Sequence, residues 1–254
     1  MASDFVYVSS LDLAERLLSA GQLAEALERF DEALAREPEN AKAWLGRGVV
    51  LALLERENDA LESLEKVLAI DPHNAEAWYN RANALVKMGR LEEALQGYNR
   101  AAELDPYDWR ALANRGNTLC LLSRQDEAVE CFNRAIAQNP SDPRLWVNKG
   151  SALLELGKTE DAIACLYQAT RLDSGIFEGW HNLGLALMHV NRYQEAIRCF
   201  DQAIDIYPNH QSTWLGKASA LEKIGREKEA ALALEIAGIL DAPSQKNLPA
   251  QSRD

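Results

Sequence analysis

Four asparagines, Asn80, Asn114, Asn148 and Asn182, recur at a step of 34 residues. Each lies in a segment whose apolar residues have helical spacing. Asparagine is a middling helix former, so its repetition inside helices needs a reason. A primary amide offers both donors and an acceptor, so a ladder of them can hydrogen-bond the backbone of an extended partner. Asn83 and Asn117 follow three residues later on a similar helix face. Tyr79, Arg110 and Arg144 lie beside them and make the stretch 75–176 the best equipped for contact, and His181 stands next to Asn182. The chemistry available is recognition by hydrogen bonding.

Other chemistries find little support. Cys120, Cys131, Cys165 and Cys199 fit no zinc or redox spacing. Three of them recur at one phase of the period, where Ser63, Gly97 and Ala233 also stand, so small size is their common property. Packed helices lie about 8–10 Å apart, beyond the reach of a disulfide. His181 and His189 are eight residues apart, too far for one metal ion, and no carboxylates complete a site. No phosphate loop, nucleophile elbow or metal motif occurs. No catalytic residue, metal or cofactor is therefore expected, and the protein is read as a non-enzyme.

Composition agrees. The 254 residues are 47% apolar and 26% charged, the profile of a soluble helical protein. A net charge of −12 argues against nucleic acid as the main partner. The acidity is weighted toward the N-terminal end, where residues 1–40 carry nine acids against three bases. No window approaches the roughly 18 apolar residues of a membrane span. The opening "MASDFVYVSS" lacks the basic start and apolar core of a secretion signal, so a cytoplasmic protein is expected.

The elements that must position the amides follow from the period. One column reads Leu17, Leu51, Leu85, Leu119, Leu153, Leu187 and Leu221; another reads Ala26, Ala60, Ala94, Ala128, Ala162, Ala196 and Ala230. A fixed period of this size marks a repeat architecture, running here without insertion from 7 to 244. Within one unit, Trp78, Ala82 and Leu85 share one helix face, and Leu91, Ala94, Leu95, Tyr98 and Ala101 share a second. Between them stands the column Gly21, Glu55, Gly89, Ser123, Gly157, Asn191 and Gly225. Glycine suits a left-handed helix end and Asn tolerates it, whereas Glu55 and Ser123 suit it less. A second stop comes at Pro38, Pro72, Pro106, Pro140 and Pro208. Each unit thus reads as two antiparallel helices that must stack on neighbours to bury their apolar faces. The cation column Arg47, Arg81, Arg115, Lys149 and Lys217, with Leu13 and Leu183 at the same phase, falls on the buried flank. There the stems cover the interface while the charged heads reach water or an acid.

The pattern W-x-x-x-[GA]-x-x-L, A-x-x-x-[FYL]-x-x-A, P resembles the tetratricopeptide repeat (TPR). The resemblance covers seven units, 7–40, 41–74, 75–108, 109–142, 143–176, 177–210 and 211–244, with a disordered tail expected over 245–254. Ser10 and Leu112 replace tryptophans and Ser174 replaces a proline. The resemblance implies an all-α, right-handed α-solenoid whose first helices line a concave groove and whose second helices form the convex wall. It also implies a protein or peptide partner held in that groove. Tyr79, Asn80, Asn83, Arg110, Asn114, Asn117, Arg144, Asn148, His181 and Asn182 are then the expected contact residues. The carboxylate clamp of co-chaperone relatives is matched at Asn83, Asn114 and Arg144. Tyr79 and Asn148 stand where the clamp wants cations.

The favoured reading is a non-catalytic adaptor or assembly scaffold. Two alternatives stay open: a module that self-assembles through its terminal repeats, and the regulatory arm of an enzyme complex. The apolar "EKEAALALEIAGIL", 227–240, supports self-association through the last repeat.

Overall fold

The computed structural model of the protein describes residues 9–241. The expected domain ends at 7–8 and 242–244, and the tail 245–254, lie outside the described residues. Within them the chain is all-α and forms fourteen helices and no strand. Four hairpins come first: α1 (Ser10–Ser19) with α2 (Leu23–Arg36), α3 (Ala41–Leu53) with α4 (Glu57–Ile70), α5 (Ala75–Lys87) with α6 (Leu91–Leu104), and α7 (Trp109–Leu121) with α8 (Gln125–Gln138). Three follow: α9 (Pro143–Glu155) with α10 (Thr159–Leu172), α11 (Phe177–His189) with α12 (Tyr193–Ile206), and α13 (Gln211–Lys223) with α14 (Glu227–Asp241). The first four hairpins form one compact unit ending at Asn139, and the last three form a second beginning at Pro140. In each unit a second helix packs on its own partner and on the first helix of the next hairpin, the stacking of an α-solenoid.

The turns between paired helices explain the punctuation column. Gly21, Gly89, Gly157 and Gly225 have φ of 71–75°, and Glu55, Ser123 and Asn191 adopt φ of 57–60° at the same phase. Glu55 and Ser123 therefore accept the left-handed conformation despite their Cβ atoms, because the stacked hairpins on either side dictate the turn.

Helix starts follow two rules. First helices other than α11 and α13 are capped by a short polar side chain: the Asn40, Asn74, Asp108 and Asp142 oxygens accept from the backbone N–H two or three residues on, at 2.8–3.0 Å. Second helices lack such a cap. All but α2, which has Gln22, open instead with a cation at N-cap and an acid three residues later, as in Arg90–Glu93 and Arg124–Glu127 at 2.6–2.7 Å. Glu92 and Glu93 sit in the first turn of α6, where negative charge suits the helix dipole.

The small columns let helices approach. Ala60, Ala94, Ala128, Ala162 and Ala196 are fully buried. Large side chains of five second helices, Phe30, Leu64, Phe132, Leu166 and Phe200, fill the space beside a glycine of a first helix. A Cβ added at Gly116 would lie 2.7 Å from the Phe132 ring, and one at Gly184 would lie 2.5 Å from the Phe200 ring. Burying a side chain of this size stabilises by about 1.5–3 kcal/mol.

The tryptophans have a second role that the apolar pattern does not show. The indole N–H of Trp44, Trp78, Trp146, Trp180 and Trp214 each donates to the carbonyl six residues earlier, at 2.8–3.0 Å. That carbonyl belongs to the proline of the stop column, or to Ser174 where the proline is replaced. The tryptophan column thus ties each first helix to the loop that leads into it.

Candidate functional site

The cation column behaves as its phase predicts. Arg47 pairs with Asp31 at 2.7 Å and donates to Ser63 Oγ at 2.7 Å, and Lys217 pairs with Asp201 at 2.6 Å. These side chains are committed to packing between helices of their own unit.

Six of the expected contact residues lie in the first unit. Asn80, Asn83, Asn114 and Asn117 line a cleft of about 450 Å³ together with Leu53 and Lys87. The floor is a hydrogen-bond network that links three helices. The Tyr98 hydroxyl, from α6, donates to Asn83 Oδ1 on α5 at 2.7 Å. The Asn114 amide, from α7, donates to Asn83 Oδ1 at 3.0 Å and to the Tyr79 hydroxyl at 3.1 Å. Burial pushes the Tyr98 phenol well above its usual range, so it stays protonated and keeps donating. Asn83 Oδ1 is thereby doubly used inside the fold. Asn80 is half-buried in the same cleft and its amide has no hydrogen-bond partner among the described residues.

Arg110 lies over the Tyr79 ring at 5.4 Å and forms a two-pronged pair with Asp108 at 2.8 Å. Partial burial of Asp108 disfavours its charge, but the Arg110 hydrogen bonds outweigh this and hold its carboxyl below the usual range. Arg110 thus closes over Tyr79 at the start of α7.

The other four expected residues lie in the second unit. Arg144 pairs with Asp142 at 2.6 Å, and this hydrogen-bonded contact holds the Asp142 carboxyl below its usual range. Arg144 and Asn148 line a separate cleft of about 580 Å³ with Asp173, Phe177 and Glu178. The Asn182 amide donates to Ser151 Oγ at 2.9 Å. His181 Nδ1 meets Thr213 Oγ1 at 2.9 Å, and its ring stacks on Phe177 and packs against His210. Burial, with a smaller contribution from His210, lowers the His181 pKa to about 4. His189 is exposed. The asparagine column is therefore chemically uneven: Asn80 is unpartnered, whereas Asn114 and Asn182 bond across the hairpin stack.

Most of the other lining residues lie outside the sequence-based expectation, among them three at one phase of the repeat. Leu53 and Leu121 are 56% and 64% exposed at one phase of the repeat, and Lys87 stands at that phase between them. The signal for the two leucines is an apolar side chain in the exposed last turn of a first helix. Tyr98 was legible as core, but its hydroxyl makes it part of the site.

The three buried thiols are poor nucleophiles. Burial raises the pKa of Cys131 and Cys165 and pushes Cys199 up to about 12. No group of three or more His, Cys, Asp or Glu suited to a metal ion occurs among the described residues. None of the described helices is long and apolar enough to cross a membrane.

Three family models, each described as tetratricopeptide repeat, match residues 11–75 and 122–175, residues 51–115, and residues 177–210. The chain belongs to the tetratricopeptide repeat family. No curated protein matches it. Solved TPR structures share its fold. The C-terminal part of a TPR repeat-containing protein from Cytophaga hutchinsonii aligns with TM-score 0.73 and 18% identity, over 93% of this chain and 97% of that one. PilF of Pseudomonas aeruginosa aligns with TM-score 0.71 and 21% identity, over 83% and 94%. YrrB, described as a TPR protein with an unusual peptide-binding site, aligns with TM-score 0.64 and 23% identity, over 74% and 97%. In these TPR terms, the first-unit cleft is built mainly from first helices, α3, α5 and α7, with Tyr98 of α6 beneath.

Proposed function

We propose that this TPR protein is a non-catalytic adaptor that holds an extended segment of a partner protein in the cleft of its first unit. The observation that carries the reading is the Asn80 amide. It is half-buried, lacks a hydrogen-bond partner among the described residues, and lines the same cleft as Asn83 and Asn114. A polar side chain left so placed matches a peptide backbone, which presents a donor and an acceptor at every residue. The Tyr79–Asn83–Tyr98–Asn114 network holds the neighbouring amides in fixed geometry, which lowers the ordering cost of binding. YrrB provides a precedent within the fold for a peptide-binding site.

The test is affinity capture from the native cell with the parent and with the Asn80→Ala/Asn114→Ala variant, after circular dichroism shows equal helicity. The reading requires proteins that the parent retains and the variant loses. Identical recovery by both would refute it.

A second reading rests on α14. Leu232, Ile236 and Ile239 fall at helical spacing on one face, and Leu232 and Ile239 are 57% and 66% exposed. Such a stripe suits a second copy of the chain. Sedimentation velocity over a range of concentrations tests it: a monomer throughout counts against it, and a dimer lost in Leu232→Glu supports it.

A further inference from the structure

In four repeats the chain covers a tryptophan with its own cation. Arg47 lies 5.6 Å from the Trp44 ring centre, Arg81 5.7 Å from Trp78, Lys149 5.8 Å from Trp146 and Lys217 5.3 Å from Trp214. Three of these cations also pair with a carboxylate sixteen residues earlier: Asp31, Glu65 and Asp201, at 2.7, 3.7 and 2.6 Å. Ring below and carboxylate beside is therefore a recurring arrangement, stabilised by the ring quadrupole and by charge.

The sixth repeat keeps half of it. Trp180 is present and half-exposed, but Leu183 stands at the cation's phase and is fully buried in the core. Tyr167 stands at the acid's phase. Among the described residues no Lys or Arg lies over Trp180. A cleft of about 430 Å³ opens at this place, walled by Trp180 and Tyr167 and lined by Glu195, Asp201, Arg198 and Cys199. The Tyr167 hydroxyl donates to Glu195 Oε2 at 3.3 Å, which fixes the aromatic wall against the acid. Glu195 pairs with Arg192 and Asp201 with Lys217, but each carboxylate has lone pairs for another donor.

We propose that this cleft binds a guanidinium or ammonium side chain of a partner protein, seated over Trp180 where the sister repeats seat their own cation. The occupant's chemistry is stated by the chain itself: four copies of the same tryptophan environment are filled by Arg or Lys, and the unfilled copy carries the open cleft. The site lies in the second unit and uses none of the residues of the first-unit cleft, so either can exist without the other.

The indole N–H resonance of Trp180 in an amide correlation spectrum of the full chain reads the site. Trp180→Leu assigns it, a substitution that the fourth repeat already accommodates at Leu112. N-acetyl-arginine amide is expected to shift this resonance saturably, and its uncharged citrulline analogue is not. A peptide with one arginine among alanines is expected to bind more tightly than the free amide, as suits a protein segment. Leu183→Lys, which restores a resident cation, is expected to weaken binding about threefold or more. If that variant fails to fold, Glu195→Gln serves, with weakening again expected. The proposal is overturned by no saturable shift, by an equal response to citrulline, or by undiminished binding in the folded variant. Tighter binding of the free amide than of the peptide would overturn its assignment to a protein partner.

Discussion

The side-chain amide of Gln138 donates to the Pro106 carbonyl at 2.7 Å. In five other repeats a tryptophan six residues beyond makes this bond, but the fourth repeat has Leu112 there. A side chain from α8 thus supplies what the first helix lacks. Gln138→Ala should lower stability by about 0.5–1.5 kcal/mol. Trp78→Phe, which keeps a ring but removes the N–H, should cost a similar amount. Urea denaturation checks both; a variant as stable as the parent would show that the bond contributes nothing.

Glu55 and Ser123 hold φ of 58° and 57°, a conformation in which glycine meets no steric penalty. Glu55→Gly and Ser123→Gly should therefore each raise stability by about 0.5–1 kcal/mol, despite the greater freedom of glycine in the unfolded chain. Gly89→Ala should lower it. Thermal melts that rank these variants the other way would contradict the strain argument.

Arg115 is an incomplete member of its column. Its Nε is buried without a hydrogen-bond partner, and one terminal nitrogen donates to Cys131 Sγ at 3.4 Å. Asn99 occupies the phase that carries Asp31 and Glu65 in the earlier repeats. Asn99→Asp should supply the missing carboxylate and stabilise by about 0.2–1 kcal/mol, less at high salt. A salt series of denaturation curves tests both the sign and the screening.

His181 makes the second unit sensitive to acid. Its folded pKa of about 4 lies below the unfolded value of 6.5, so the unfolded chain binds more protons between the two. Stability is complete above about pH 6.5 and falls as pH drops toward 4, by about 1–2 kcal/mol once partial exposure and solvent screening are allowed for. The variant His181→Gln, which cannot titrate, should show a smaller loss over this window. Denaturation midpoints at pH 7, 5 and 4 decide the matter; equal losses in parent and variant would exclude His181 as the cause.

Much of the fold was legible because its causes are local or periodic. Leu85 and its equivalents mark the helix faces, Pro72 and Gly89 mark the stops, and Ala94 marks close approach. The site was only partly legible. Asn80 and Asn83 look alike in the sequence, yet Asn83 is drawn into a network by Tyr98 and Asn114 while Asn80 is left without a partner. The clamp comparison weakens in the same way: Asn83 and Arg144, which match it by type, already serve Tyr98 and Asp142.

By itself the sequence determined the period, the paired helices, the left-handed turns and the family, since backbone sterics and apolar periodicity act over a few residues and recur in each unit. Only the tertiary structure decided which polar groups are used up and which remain. Asn114 and Tyr79 are 35 positions apart in the chain, and Gln138 and Pro106 are 32 apart. Stacking brings such pairs within hydrogen-bond reach, and hydrogen bonds are short and directional, so a partner can be read only from positions in space. The uncovered Trp180 follows the same logic, because a missing cation becomes a cleft only where packing leaves its place empty.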